Sequence, residues 1–290
     1  MSDRNEIVSR VTAALEGKPA PVAIRNARKV DARGERRGYW VVSDAAGVIV
    51  AAGTGEETFE HYCRTVGLDP ADRNAVIDAE GRILTPGYVD IHAHGAWEKS
   101  FDDGPDGIDV ARAGHAVHGT TRQVLSLITN PVDVICRTTM ESGRPDILGC
   151  HLEGPFLALA RKGAHDPECL KDPVPDIVDK MLEASGADPA SGKLGCIRQI
   201  TIAPELPHGI SAIRQFAAAG VGAGIMTHMF NAMNGLHHRE PGPIPAAVED
   251  PRVTIELIND GFHVQDPMVS LSFRFAPHRT AFVTDAMAAT

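Results

Sequence analysis

The sequence predicts an α/β fold: a (β/α)8-type (TIM-like) barrel, incomplete at about seven strands, joined to a small N-terminal β-sandwich-like domain. Three observations predict it. After Thr85-Pro86-Gly87, seven apolar, β-branched segments alternate with longer helical or loop stretches, which is the rhythm of βα units in a parallel sheet. A polar or ionisable residue stands at the C-terminal end of nearly every one, and a barrel assembles its site from such strand ends. No glycine-rich turn follows the first of these strands, as a doubly wound sheet organised around one switch point would usually require.

Residues 1–84 read as short alternating strands, VAIRNARKV, YWVVSD, GVIVAAG and NAVIDAEGRIL, separated by Asp-Ala-Ala-Gly and Ala-Glu-Gly turns, with a helix at ETFEHYCRTVG. Residues 85–290 supply the barrel, with strands at YVDIHAH, TTRQVLSL, ILGCHLEG, IRQITIAPE, GIMTHMFNAM, VTIELINDGFHV and TAFVTDA. Between the fourth and fifth strands, FAAAGVGAG takes an Ala-rich helix end into a glycine-broken turn. Phosphate loops run from strand to helix, and this turn runs the other way, so Gly220 is expected to cap the helix instead.

With 290 residues, 43% hydrophobic and 23% charged, the chain can bury a large core, and disorder is not expected. Thirty-eight acidic against 28 basic side chains give a net charge of −10. That balance disfavours nucleic acid as a partner, and an anionic small molecule would need its own basic pocket. Five widely spaced cysteines, Cys63, Cys136, Cys150, Cys169 and Cys196, form no C-x-x-C pair and are expected to be reduced thiols in a cytoplasmic protein. MSDRNEIVSR has no apolar leader core, and no run approaches the ~20 apolar residues of a membrane span.

The candidate chemistry lies at the strand ends. His92 and His94 in VDIHAHG are two apart, so on a strand they face one side and can bind one metal ion. Alone, H-x-H is as often a surface or packed pair. Glu153 in CHLEGPF would sit at a strand tip, where a carboxylate can bridge two divalent ions or simply be a solvated turn residue. His228 in MTHMFNAM lies inside an apolar strand, where a hydrogen-bonded core histidine is the plain alternative, and Asn231 follows it. His237, His238 and Arg239 in GLHHREPGPI make a locally basic loop, either solvated or suited to an anionic group. His263 follows another strand, and Asp285 ends AFVTD as a metal ligand, a general base, or a cap. The order H-x-H, Glu, His, His, Asp is far more specific than any member. His and carboxylate donors suit zinc, iron, manganese or cobalt, as one or two ions.

TPGYVDIHAHG, HLEGPF with KGAH downstream, THMFNAM, HHREPGPI, DGFHV and VTDA together resemble the amidohydrolase superfamily and, within it, the N-acetylglucosamine-6-phosphate deacetylases. They run from about Asp78 to the end of the chain. The resemblance implies that His92, His94, Glu153 and Asp285 hold one divalent metal, and that His228 with Glu153 serves a second position. It also implies substrate contacts from His165 and His263, phosphate contacts from Asn231 and Ala232, and Arg239 reaching the phosphate in a neighbouring subunit of a homodimer. The implied reaction converts N-acetylglucosamine 6-phosphate to glucosamine 6-phosphate and acetate. A metal would activate water and polarise the amide, while Asp285 moves the proton from water to the leaving amine.

Two departures set further expectations. In that family a strand ending in G-H-[ST] precedes THMFNAM and partners His228. Here GVGAG leads almost directly to Ile225, so a βα unit of on the order of 20 residues is absent and seven strands remain. The chain also stops five residues after Asp285, before a closing helix and the strands that would complete the small domain. Asp285 is therefore expected to fray and the last strand to expose apolar surface. The first ligand set is complete and the second lacks its third member. A catalytically impaired fragment or sugar-phosphate-binding pseudoenzyme, and another metal-dependent amidohydrolase acting on a cyclic amide, are the alternatives.

Overall fold

The computed structural model describes residues 2–128, 144–188, 190–222 and 224–289, so Cys136 lies outside the described residues. The chain divides into two compact units, Glu16–Gly87 and Met1–Leu15 with Tyr88–Thr290. The elements begin with α1 (Ser2–Glu16), β1 (Val22–Asp31), β2 (Gly34–Ser43), β3 (Ile49–Thr54), α2 (Glu56–Thr65), β4 (Val76–Asp78) and β5 (Ile83–Leu84). Then follow β6 (Tyr88–Asp90), β7 (Gly95–Ala96), β8 (Lys99–Ser100), α3 (Pro105–Ala116), β9 (Thr120–Leu127), β10 (Ile147–Glu153) and α4 (Pro175–Ala184). The last are β11 (Ile197–Thr201), α5 (Gly209–Ala218), β12 (Ile225–Met226), α6 (Ile244–Glu249), β13 (Thr254–Ile258), α7 (Asp266–Phe275) and β14 (Thr280–Val283). No helix among the described residues is long and apolar enough to cross a membrane.

The smaller unit is a five-stranded sheet in the order β3-β2-β1-β4, with β5 also paired to β1. β1 to β3 run antiparallel, and β4 and β5 lie parallel to β1. Phe59 and Cys63, one turn apart on α2, are buried with Trp40, Val42 and Ala23 of the sheet. Trp40 meets Phe59 at 5.9 Å between ring centroids and satisfies its indole N–H on the Gly55 carbonyl at 3.0 Å.

In the larger unit each of the seven expected segments contains a strand, and all of these pair in parallel. They form two sheets, β11-β10-β9-β6 and β12-β13-β14. On one side the sheets join beyond β6 and β14, where Asp285 N–H donates to His92 O at 2.9 Å. There too, His94 and Gly95 N–H donate to Ala286 O at 2.8 and 2.9 Å. On the other side, between β11 and β12, the ladder breaks at the GVGAG turn. Among the described residues, one parallel bridge, Gln199 with Gly222, and a Thr201–Thr227 hydroxyl bond of 3.0 Å span the seam. The apolar core divides with the sheets: Leu125, Leu152, Ile197 and Phe216 lie in one cluster, and Ile244, Ile255, Leu257 and Val264 in another.

Gly220 does cap α5. At φ 81 it lets Val221 N–H reach Phe216 O at 3.0 Å, while its own N–H donates to Ala217 O. An added Cβ would also stand 2.5 Å from Leu194 Cδ2. Gly220→Ala is expected to lower stability by about 1–2 kcal/mol for the left-handed backbone alone, read from the shift in urea midpoint.

The segment carrying Asp285 is bound rather than loose. Beyond its own bond to His92, Ala286 O accepts the two amides noted above, and Ala288 O accepts Glu98 N–H at 2.6 Å. Glu98 is itself held by Arg4 of α1 at 3.0 Å. α1 is a helix that the sequence patterning did not mark. The expected apolar exposure is present: Phe282 of β14 is 53% exposed and lies 5.3 Å from Phe273 of α7.

Candidate metal centre

The site sits at the C-terminal ends of the strands, and only Glu153 occupies a strand residue there. β6 ends at Asp90, so His92 and His94 lie in the bend beyond it and not on the strand, yet their rings still converge at 5.4 Å. Asp90 builds that bend by accepting His92 N–H at 3.1 Å and the Thr284 hydroxyl at 3.0 Å. β12 ends at Met226, which puts His228 in the following turn, not inside a strand. Positive φ at His228, Phe230 and Ala232 is incompatible with extended pairing there. Asp285, at φ 47, lies two residues past β14.

These turns aim four side chains at one point. One donor atom from each of His92, His94, Glu153 and Asp285 lies within 4.8 Å of all the others. His92 Nε2 is 3.5 Å from Glu153 Oε1 and 3.4 Å from Asp285 Oδ1. His94 Nε2 is 3.2 Å from Glu153 Oε2 and 3.3 Å from Asp285 Oδ1. Donors ~2.0–2.1 Å from one tetrahedral ion stand about 3.3 Å apart, so this spacing fits a shared divalent cation. His92 Nε2 is buried without a hydrogen-bond partner, which a metal would satisfy. His228 Nε2 adds a contact of 3.1 Å to Glu153 Oε1.

The charges are strongly coupled. Burial pushes the His92 imidazole down, but Glu153 and Glu256 outweigh it and raise its pKa to about 10. Burial likewise opposes, and carboxylates overcome it, at His94 through Asp285 and Glu153 and at His228 through Glu153, so both are raised. Burial also opposes ionisation of Glu153, yet His228, His92 and His94 hold it well below the usual carboxylate range.

Without metal, the stability from His92 should be full below 6.5 and lost as pH rises toward about 10. That from Glu153 should be full above 4.5 and lost as pH falls below it. Urea midpoints in chelator are expected to peak between these two limits. Cation binding must displace the imidazole protons, so metal affinity should rise with pH.

The same overall fold occurs in known proteins. No family model matches the chain. The crystal structure of N-acetyl-D-glucosamine-6-phosphate deacetylase from Mycobacterium smegmatis aligns with a TM-score of 0.75 at 32% identity, covering 93% of this chain and 78% of that one. The chain belongs to the N-acetylglucosamine-6-phosphate deacetylase family. Within that family, N-acetylgalactosamine-6-phosphate deacetylase of Escherichia coli O157:H7 is 33% identical over 236 residues, 74% of this chain and 63% of its own length. The human N-acetylglucosamine-6-phosphate deacetylase is 30% identical over 248 residues, 73% of this chain and 59% of its own. The chain thus spans about six-tenths of the length of these curated deacetylase relatives.

Around the four-donor cluster, the other residues expected from the deacetylase motifs divide into near and far. His165 is buried, with ring nitrogens 2.7 Å from Glu153 O and 2.8 Å from Lys162 O, and it lies 3.8 Å from Glu153 Oε2. Asn231 turns its amide toward Met229 O at 3.5 Å, and Ala232 occupies a left-handed backbone position, φ 54. Arg239 is exposed, in a loop where the His237 and His238 rings lie tilted to one another at 4.4 Å between centroids. His263 is exposed and its ring lies 2.7 Å from Asp260; the backbone N–H of His263, then its ring and the Phe262 N–H, lower the Asp260 pKa to about 2. The structure brings His92, His94, Glu153, His228, His165 and Asp285 together. It gives Asn231, Ala232, Arg239 and His263 no side-chain contact with the cluster among the described residues.

Three supporting residues lie outside the candidate set that the sequence marks. Glu256 of β13 is fully buried, with Oε2 3.1 Å from His92 Nδ1. Gln199 of β11 donates to Glu256 Oε1 at 3.1 Å. His151 of β10 is fully buried and bonded to Ser126 and Thr201 hydroxyls at 2.9 Å each. Burial and the neighbouring His92 push it well below the ordinary histidine range. A lone carboxylate inside the apolar run TIELI was a legible signal for Glu256.

Proposed function

We propose that this chain hydrolyses the acetamide of N-acetylglucosamine 6-phosphate, giving glucosamine 6-phosphate and acetate, with one divalent cation held by His92, His94, Glu153 and Asp285. The observation that carries this reading is the four-donor cluster at the strand ends, with the orphaned His92 Nε2 inside it, in a chain of deacetylase ancestry. When bound, the cation would lower the pKa of water and polarise the amide carbonyl. Asp285 is the most accessible of the four, with 19% of its side chain exposed against 9% for Glu153 and 0–3% for the histidines. That exposure suits it to accept the proton of the attacking water and deliver it to the leaving amine, which departs only when protonated. His94 and His92 face Asp285 Oδ1 and hold its carboxyl ionised against the opposing effect of burial.

A single ion is favoured over two because His228 has Glu153 but no third partner of suitable type among the described residues. Arg239, in the basic His237-His238-Arg239 loop, is proposed to meet the substrate phosphate across a homodimer, a state that sedimentation velocity would report. His165 and His263 are proposed to face the sugar, with Asn231 and Ala232 near the phosphate.

The test is acetate release from the protein loaded with zinc, iron, manganese or cobalt, using N-acetylglucosamine 6-phosphate and its galactosamine counterpart. The second substrate is included because the E. coli relative bears that name. Acetate release from either supports a deacetylase. Folded, metal-loaded protein that releases none from both, yet binds the sugar phosphates, would leave the binding reading in its place.

A further inference from the structure

We infer that Glu256 is the positioning residue of this centre: a buried carboxylate that sets the tautomer and rotamer of His92 and carries that constraint across the seam between the two sheets. The inference rests on the metal reading of His92 given above.

Glu256 and the His92 side chain are both fully buried. Glu256 Oε2 lies 3.1 Å from His92 Nδ1 and accepts the backbone N–H of His228 at 3.4 Å, while Oε1 accepts the Gln199 amide at 3.1 Å. Two of the three donors are fixed in kind, since a backbone N–H can only donate and the Gln199 amide is placed as a donor. With both oxygens so engaged, the carboxylate acts as an acceptor toward His92, and Nδ1 must carry the hydrogen. Once cation binding displaces the second imidazole proton, it is the Nε2 lone pair that faces Glu153 and Asp285, and this is the nitrogen without a hydrogen-bond partner. A carboxylate on the far nitrogen of a metal-ligating imidazole fixes the ring and raises its basicity.

The placement of Glu256 gives it a second reach. It stands on β13, in the middle of the three-stranded sheet, while Gln199 stands on β11, the edge of the four-stranded sheet, at the Gln199–Gly222 bridge across the seam. His92 follows β6, at the opposite edge of that sheet, and His228 follows β12. One carboxylate therefore ties both edges of the larger sheet to the smaller one beneath the candidate ligands. On the Nδ1 side of His92, Glu256 is the hydrogen-bonding partner, whereas His151 meets the ring edge to face, at 4.6 Å between ring centroids.

The experiment titrates metal-free full-length protein with Co2+ under a competing chelator and records the visible ligand-field spectrum. Wild type, Glu256→Gln and Glu256→Met are compared, with apo urea midpoints measured in parallel. Both variants are expected to bind Co2+ roughly 10–100-fold more weakly than wild type, with Met the weaker, and to shift the ligand-field bands because His92 is no longer held in one orientation. A purely structural Glu256 would lower the urea midpoint but leave the affinity and spectrum of the folded fraction unchanged, and that result overturns the inference. Should Glu256→Met fail to fold, Gln199→Met serves as the second variant, expected to weaken Co2+ severalfold by freeing Glu256 Oε1. Absence of Co2+ uptake by wild type would overturn the metal reading and this inference with it. Uptake by wild type with unchanged variants overturns the positioning role alone.

Discussion

Glu153→Gln should give a protein that no longer retains a divalent cation through dialysis and that, even without metal, is less stable by about 3–5 kcal/mol. Both effects follow from the same carboxylate. Its Oε1 faces His228 and His92, and its Oε2 faces His94, at 3.1, 3.5 and 3.2 Å. In the metal-free protein these imidazoles are raised above the ordinary histidine range, and Glu153 is the anion they share. An amide of the same shape removes the counter-charge and leaves the cationic rings buried against one another. Urea unfolding in chelator should be measured between pH 4.5 and 6.5, where both contributions are full by the shifts given above. An unchanged midpoint there would show that the buried histidines are neutral and that the electrostatic account is wrong.

Asp285→Asn is the second large effect, and it separates chemistry from binding. An asparagine oxygen can still face His92 and His94, so metal content should fall much less than turnover. The loss in kcat should be about 10²–10⁴-fold, the usual contribution of a positioned general acid–base group, with KM for the sugar phosphate little altered. Equal losses in metal content and kcat would instead make Asp285 a ligand only. Because Asp285 is held ionised below its ordinary range, the basic form should persist to lower pH than a free aspartate would allow. The acid limb of the kcat/KM profile should shift upward or vanish in the variant.

Much of this was legible in the sequence for a definite reason. TTRQVLSL, ILGCHLEG and VTIELIND each contain a stretch buried residue after residue (123–127, 149–153 and 255–258), and such near-continuous burial goes with the largely apolar runs that announce parallel strands. Glu153 was placed correctly because Gly154-Pro155 ends the strand immediately after it. His228 was misplaced because the apolar run GIMTHMF has the composition of a strand, and nothing in composition foretells left-handed backbone at a histidine or a phenylalanine.

Glu256 was missed for a different reason. Ionisable residues at strand ends stand out in the sequence, whereas Glu256 lies mid-strand, supported by Gln199 from 57 positions earlier. The buried Arg112, bonded to Asp146 at 2.7 Å, was beyond reach for the same cause: its partner lies 34 residues away and a pattern along the chain carries no such pairing. α1 has apolar residues at Ile7, Val8, Val11 and Leu15, but it is largely half-exposed, so its helical period carried little signal.

The clamp between residues 92–98 and 285–288 has a consequence for hydrogen exchange. The amides of Asp285, His94, Gly95 and Glu98 all donate across it, and Asp285, His94 and His92 are three of the four side chains proposed to share an ion. Opening this segment therefore exposes those amides and dismantles the donor set in one event. Their exchange should slow together as cation is added, by a factor that grows with free metal concentration, while the sheet of the smaller unit keeps its own rates. Four amide protons would then serve as a built-in gauge of occupancy, readable without any substrate.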